Sequence, residues 1–266
     1  MQYRMIAIDM DGSLLDSNRK ISDNTISAIK KARKAGVIVT VATGRSIRGV
    51  EIYRKILPIK APLITYNGAV IIDLPDREIL YDVTLEEKVA SDIIDFGKKF
   101  STTMCIWFQN QLYVYEINER VAQYTEVYGI HPIIIDNEAM LIQQGITKIL
   151  WFDEINNIKK YQQELEISLK GNVNFCTSSP YFLEFFDGDA SKGNALKFLG
   201  EYYNIDASEM IAIGDGMNDV PMIEYAGLGV AMGNAPEELK ELSDFITLTN
   251  DEDGVAHVIE QFVLNI

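Results

Sequence analysis

The chain has 266 residues, long for one core and comfortable for two domains. Apolar residues make up 47 % and charged residues 24 %, a composition that excludes a disordered chain. The formal net charge is −15 and no run of Lys or Arg interrupts it, which argues against nucleic acid and anionic membranes as partners. Cys105 and Cys176 fit no CxxC or other metal spacing and read as reduced core residues. The opening MQYRMIAIDMDG has no apolar signal-peptide core. No apolar run approaches the roughly 20 residues of a membrane span, so a cytoplasmic location is expected.

The first 70 residues alternate strand and helix. Met5–Asp9 reads as an apolar strand that ends in the polar turn DMDGS. Ser22–Ala35 reads as a helix with Ser22, Asp23 and Asn24 as candidate caps and Gly36 as its stop. Val37–Ala42 is a β-branched strand, Ile47–Lys55 a helix with Pro58 beyond it, and Leu63–Tyr66 a third strand. Strands without polar alternation, separated by helices, imply a parallel sheet covered on both faces. Then Asn67-Gly68 suits a tight turn, and Ala69–Asp73 can pair with Glu78–Asp82 across Pro75-Asp76 as a β-flap.

Residues 83–186 differ in character. Helices are expected over Leu85–Phe100, Asn118–Tyr128 and Ile155–Lys170. Strands are expected at Thr103–Phe108, Gln111–Glu116, Ile146–Phe152, Val173–Thr177 and Tyr181–Phe186. Hairpins mixed with helices suggest an antiparallel α+β domain. Trp107, Trp151 and Tyr113 read as its core. From 187 the parallel rhythm returns: helix Ser191–Tyr203, strand Met210–Gly214, helix Asp219–Ala226, strand Leu228–Met232, helix Ala235–Leu242, strand Phe245–Leu248 and helix Val255–Val263. The expected organisation is an α/β catalytic core from 1–82 plus 187–266, with 83–186 inserted as a lid.

Four places carry candidate chemistry. Asp9 and Asp11 directly follow an apolar strand, where open parallel sheets bind ligands, and start on the same side of extended backbone. Gly12 lets the chain turn away. Two close carboxylates need a cation between them or a proton on one. The second place is Gly214-Asp215-Gly216-Met217-Asn218-Asp219, whose turn can aim Asp215 and Asp219 at one point. Asp9, Asp215 and a backbone carbonyl would supply the hard oxygens that Mg²⁺ needs. The third is Thr43-Gly44-Arg45, where a hydroxyl and exposed N–H groups suit a phosphate oxygen. The fourth is Lys192, a cation at a helix start, against the usual dipole preference but suited to an anionic substrate. Each alone also reads as an ordinary turn, cap or solvated side chain. His131 and His257 fall in no motif and read as structural or solvated.

DxD, Thr, Lys and GDxxND at four strand ends, in that chain order, resemble the haloacid dehalogenase superfamily of phosphatases. More narrowly they are similar to its Cof-type branch (type IIB), which carries an α/β cap between the Thr and Lys motifs. Tyr66-Asn67-Gly68-Ala69 and the AxxxGVAMGNA stretch from Ala226 to Ala235 extend the likeness. Ser13 departs from the usual Thr but keeps the hydroxyl. The segment Phe186-Asp187-Gly188-Asp189-Ala190 is more acidic than the family pattern.

The resemblance implies a Rossmann-like parallel core and a cap that sets substrate specificity. It implies that Asp9 attacks phosphorus to form an aspartyl-phosphate, and that Asp11 protonates the leaving alcohol and then deprotonates water. Mg²⁺ would be held by Asp9, Asp215 and the Asp11 carbonyl. Lys192, Thr43, Gly44, Asn218 and the Met10 N–H would hold the phosphoryl oxygens, with Asp219 and Arg45 in support. The implied substrates are small phosphorylated metabolites such as sugar phosphates. A phosphotransferase or mutase, and a non-enzymatic phospho-acceptor module, are the alternatives.

Overall fold

A computed structural model describes residues 3–54, 56–57, 59–73, 78–169 and 171–265. In chain order its strands and helices are β1 Met5–Asp9, α1 Asp23–Lys34, β2 Ile38–Ala42, α2 Ile47–Arg54, β3 Leu63–Thr65, β4 Val70–Asp73, β5 Glu78–Asp82, α3 Glu87–Phe100, β6 Thr103–Phe108 and β7 Gln111–Val114. There follow α4 Glu119–Tyr128, β8 Ile133–Ile134, α5 Glu138–Gln144, β9 Lys148–Phe152, α6 Ile155–Ser168, β10 Val173–Ser179, β11 Phe182–Asp187 and α7 Lys192–Tyr203. The last are β12 Met210–Gly214, α8 Val220–Tyr225, β13 Leu228–Ala231, α9 Glu237–Leu242, β14 Phe245–Ile246 and α10 Gly254–Ile259. The chain divides into two compact units. One holds residues 1–45, 50–81 and 191–266, the other 46–49 and 82–190.

The first unit is built on an eight-stranded sheet in the order β14-β13-β12-β1-β2-β3-β4-β5. β1 lies between β12 and β2, parallel to both, and the parallel pairing continues outward to β14 and to β3. Only beyond β3 does the direction reverse, where Leu63–Thr65 pairs antiparallel with Val70–Ile72. β1 is buried along its whole length, so every residue from Met5 to Ile8 is apolar. Its alternate residues serve opposite faces. Met5 and Ala7 pack in one cluster with Ala195, Leu196 and Leu199 of α7 and Met222 and Ile223 of α8. Asp9 continues that parity and therefore emerges on the α7 side. Register fixes what surrounds it: Ile8 is opposite Ile213, and Asp9 opposite Ala42. The residues that follow β2 and β12, Thr43 and Asp215, thus leave the sheet at the same edge as Asp9.

Local signals account for the element ends. The Ser22 hydroxyl accepts the Thr25 N–H at 3.0 Å and starts α1, and Lys31, Arg33 and Lys34 occupy its last turn. Tyr66–Gly68 forms a single 3₁₀ turn with positive φ at Tyr66 and Asn67, tighter than the strand end expected for Tyr66. The helix expected from Asp219 begins one residue later, after a 3₁₀ turn over Met217–Asp219. Leu248 lies outside β14, which stops at Ile246. Pro58 and the turn Pro75-Asp76 lie outside the described residues.

The second unit carries a six-stranded sheet in the order β10-β11-β9-β6-β7-β8. It is antiparallel except for the parallel pair β7 and β8. Met104, Ile106, Ile149, Trp151, Leu183 and Phe185 share a core with Val89, Ile93 and Ile94 of α3 and Ile158 and Leu165 of α6. Trp107 is also buried, but strand alternation puts it on the opposite sheet face from Trp151. Sequence periodicity did not reveal β8 and α5, which are only 2 and 7 residues long. The acidic segment before Lys192 closes on itself: the Asp187 carboxylate accepts the Asp189 N–H at 2.9 Å and the Asn172 amide at 3.3 Å. Among the described residues, no helix is long and apolar enough to cross a membrane.

Candidate active site

The site grows from the C-terminal edge of β1, β2 and β12, where the strand order turns in opposite directions on the two sides of β1. Asp9, the last residue of β1, is only 6 % exposed. Lys192, the first residue of α7, is fully buried, and its ammonium bridges Asp9 Oδ1 and Asp219 Oδ1 at 2.5 Å each. The dipole argument at the helix start is therefore overridden by two ion pairs to residues 183 and 27 positions away in sequence.

Asp219 is fully engaged. Its Oδ2 accepts the N–H groups of Asp215 and Gly216, both at 2.9 Å, while Oδ1 takes Lys192. It folds the GDGMND turn and anchors the lysine. Asp215 is held by Ser13, whose hydroxyl donates to Oδ1 at 3.0 Å, so the Ser in place of the usual Thr performs a hydroxyl's task. Gly12 is required at its position. Its φ is +88°, and a Cβ would lie 2.2 Å from Asp215 Oδ2. Gly214 is equally confined, since a Cβ would come 2.5 Å from the Asp219 side chain.

Carboxylate oxygens of Asp9, Asp215 and Asp219 all lie within 4.8 Å of one another. Three carboxylates face one ammonium, an excess of negative charge in a buried place. Burial first, and then the Asp219 charge, push the Asp9 carboxyl well above the usual carboxylate range, against the pull of Lys192. The same two causes raise Asp215 to about 6. Burial draws the Lys192 pKa down, but Asp219 and Asp9 outweigh it and hold the ammonium charged. A divalent cation suits this donor set. The oxygens are hard, the charge is in excess, and the glycine at 12 leaves the approach to Asp215 clear. With both Asp219 oxygens committed, Asp9 and Asp215 are the side chains available to such an ion.

Asp11 is not part of that cluster. Its carboxylate receives a two-point fork from Arg45, Nε to Oδ2 at 2.7 Å and Nη2 to Oδ1 at 2.5 Å. Arg45, to which the resemblance gives a supporting role, has Asp11 as its partner. Thr43 is buried, and its hydroxyl accepts the Arg45 N–H at 3.1 Å, shaping the turn. Gly44 sits where a Cβ would come 2.8 Å from the Asn67 amide oxygen. That oxygen accepts the Asn218 amide at 2.9 Å, so Asn67 ties the β2 and β12 turns together. Sequence reading assigned Asn67 no role in the site. Its signal was the Asn-Gly pair, because Asn67 takes φ +56°, which Asn tolerates better than most residues. Asn234 was likewise missed. It donates to the Gly12 carbonyl at 2.8 Å and accepts the Asn250 N–H at 3.0 Å. Met10 is buried directly after Asp9. His257 shares a 3.0 Å hydrogen bond with Thr247, away from these residues, and His131 is exposed.

A family model for haloacid dehalogenase-like hydrolases matches residues 6–259. The chain belongs to that family. A Bacillus subtilis relative, the 5-amino-6-(5-phospho-D-ribitylamino)uracil phosphatase YcsE, is 33 % identical over 271 residues, covering 99 % of this chain and 97 % of its own. A haloacid dehalogenase-like hydrolase of Bacteroides thetaiotaomicron superposes with TM-score 0.86 at 30 % identity, covering 97 % of this chain and 99 % of that one. The subclass IIB sugar phosphatase BT4131 shares the fold, with TM-score 0.81 at 24 % identity over 97 % of this chain and 98 % of its own. The protein is thus a phosphatase of the Cof-type branch, and its two-unit α/β architecture is the one the resemblance implied.

Proposed function

We propose that this phosphatase is Mg²⁺-dependent and hydrolyses small phosphorylated metabolites, sugar phosphates foremost, through a phosphate ester of Asp9. The observation that carries the reading is the Asp9–Lys192–Asp219 chain beside Asp215 at the strand edge. An ionised carboxylate nucleophile next to a dianionic phosphate needs positive charge on both. Lys192 supplies one charge, and Mg²⁺ on Asp9 and Asp215 would supply electrostatic neutralisation of the phosphoryl oxygens. The Met10 and Gly44 N–H groups, the Thr43 hydroxyl and the Asn218 amide are the donors proposed to hold those oxygens. Asp11, two residues beyond Asp9 and outside the acidic cluster, is free of the demand to ligate metal through its side chain. It can exchange a proton with the leaving alcohol and then with water.

Three observations support the substrate class: a relative named for a phosphorylated ribitylaminouracil, a fold shared with a sugar phosphatase, and a net charge of −15 that disfavours nucleic acid. The inserted unit is the proposed specificity element. Phosphate release from an aryl phosphate should require added Mg²⁺ and disappear in Asp9→Asn. Turnover that survives both EDTA and that substitution would end the reading. A screen of phosphorylated metabolites then ranks substrates by kcat/KM.

A further inference from the structure

Arg45 gives Asp11 both arms of its guanidinium, at 2.7 and 2.5 Å. The two side chains are unequal in freedom. Asp11 is 54 % exposed and Arg45 only 13 %. Arg45 is fixed from several directions: its guanidinium lies 5.1 Å from the centre of the Tyr53 ring, its N–H donates to Thr43, and its carbonyl accepts the Tyr66 N–H at 3.0 Å. A rigid, planar donor therefore orients a carboxylate that would otherwise sample several rotamers in water.

We propose that Arg45 is the positioning residue for Asp11 in the second half of the reaction. The inference rests on the reading of Asp9 as nucleophile. In that half-reaction water attacks phosphorus on the Asp9 ester. The water proton passes to an Asp11 oxygen and the bond from phosphorus to Asp9 breaks, leaving free carboxylate and inorganic phosphate. A carboxylate offers about four acceptor sites, so the fork leaves room for the incoming proton.

The test uses 4-nitrophenyl phosphate, whose nitrophenolate departs without an acid, so formation of the ester is spared and its hydrolysis is isolated. In Arg45→Gln, kcat should fall about 10- to 100-fold, part of the 10²–10⁴ that a positioned base contributes. KM should fall with it, kcat/KM should hold within about threefold, and acid quench should trap most of the enzyme as phosphoprotein. Asp11→Asn should behave alike, and the double variant should be no slower than Asp11→Asn alone. The preserved kcat/KM also reports that the variant is folded. A rise in KM with loss of kcat/KM would overturn the proposal in favour of direct phosphate binding by Arg45. Faster turnover, or losses that multiply in the double variant, would overturn it equally. If no phosphoprotein is trapped in wild type or any variant, the nucleophile reading itself falls and takes this proposal with it.

Discussion

Replacing Asp215 by Asn should make the metal-free protein more stable while disabling it. Asn keeps an oxygen to accept the Ser13 hydroxyl and nearly the same shape, but it removes one of three carboxylates around a single ammonium. The magnitude follows from the raised pKa. Asp215 moves from an ordinary 3.8 to about 6 on folding, and each unit is worth about 1.4 kcal/mol, so its ionisation costs the folded state on the order of 3 kcal/mol. For a carboxyl raised on folding, the native state binds more protons than the unfolded one. Stability is therefore highest below the ordinary pKa and is lost as pH rises through about 6. Without Mg²⁺, urea unfolding should show wild type and Asp215→Asn alike near pH 3.5. At pH 8 the variant should lead by about 3 kcal/mol. Adding Mg²⁺ should close or reverse that gap, because only the wild type gains from an ion bound to the native state. A variant that is no more stable than wild type at pH 8 in EDTA would refute the charge-excess argument. Equal stabilisation of both proteins by Mg²⁺ would refute Asp215 as a ligand.

Lys192→Met should destabilise the protein by about 3–5 kcal/mol at pH 8, because it leaves Asp9 and Asp219 buried without their cation. Guanidinium unfolding measures this, and a loss below about 1 kcal/mol would show the pair to be solvated. Gly12→Ala should lose nearly all activity and Mg²⁺-dependent stabilisation, since its Cβ would occupy the space of Asp215 Oδ2. Retention of wild-type turnover would contradict that geometry. Asn67→Gly keeps the positive φ but removes the amide that meets Asn218. Inorganic phosphate should then inhibit about tenfold less well, the equivalent of one hydrogen bond of about 1.4 kcal/mol. Cys105, buried and with its thiol pushed up to about 12, should resist thiol reagents at pH 8 until the protein unfolds.

Much of the fold was legible because its signals are local. Runs such as MIAID and MIAIG, short and set directly before turns rich in Asp and Gly, read as strands buried on both faces, and they are. Of the candidate caps Ser22, Asp23 and Asn24, Ser22 caps α1, and Asn118 and Ser191, read as helix starts, prove to be N-caps, each accepting a backbone N–H. The short elements at Ile133–Ile134 and Glu138–Gln144 were not legible, since two exposed isoleucines and seven residues carry no period long enough to read.

In the candidate site, the sequence put Asp9, Thr43 and Asp215 at the ends of predicted strands and Lys192 at a helix start, and the resemblance grouped them. It left their partners open. The pairing of Lys192 with Asp9 depends on the parity of β1 and on α7 packing against that face, and both are settled by sheet register. Arg45 on Asp11 and Asn67 against Asn218 join turns 34 and 151 residues apart. No one-dimensional pattern encodes which hydrogen-bonding groups a turn leaves unused, and only the folded strand edge brings them within reach of each other.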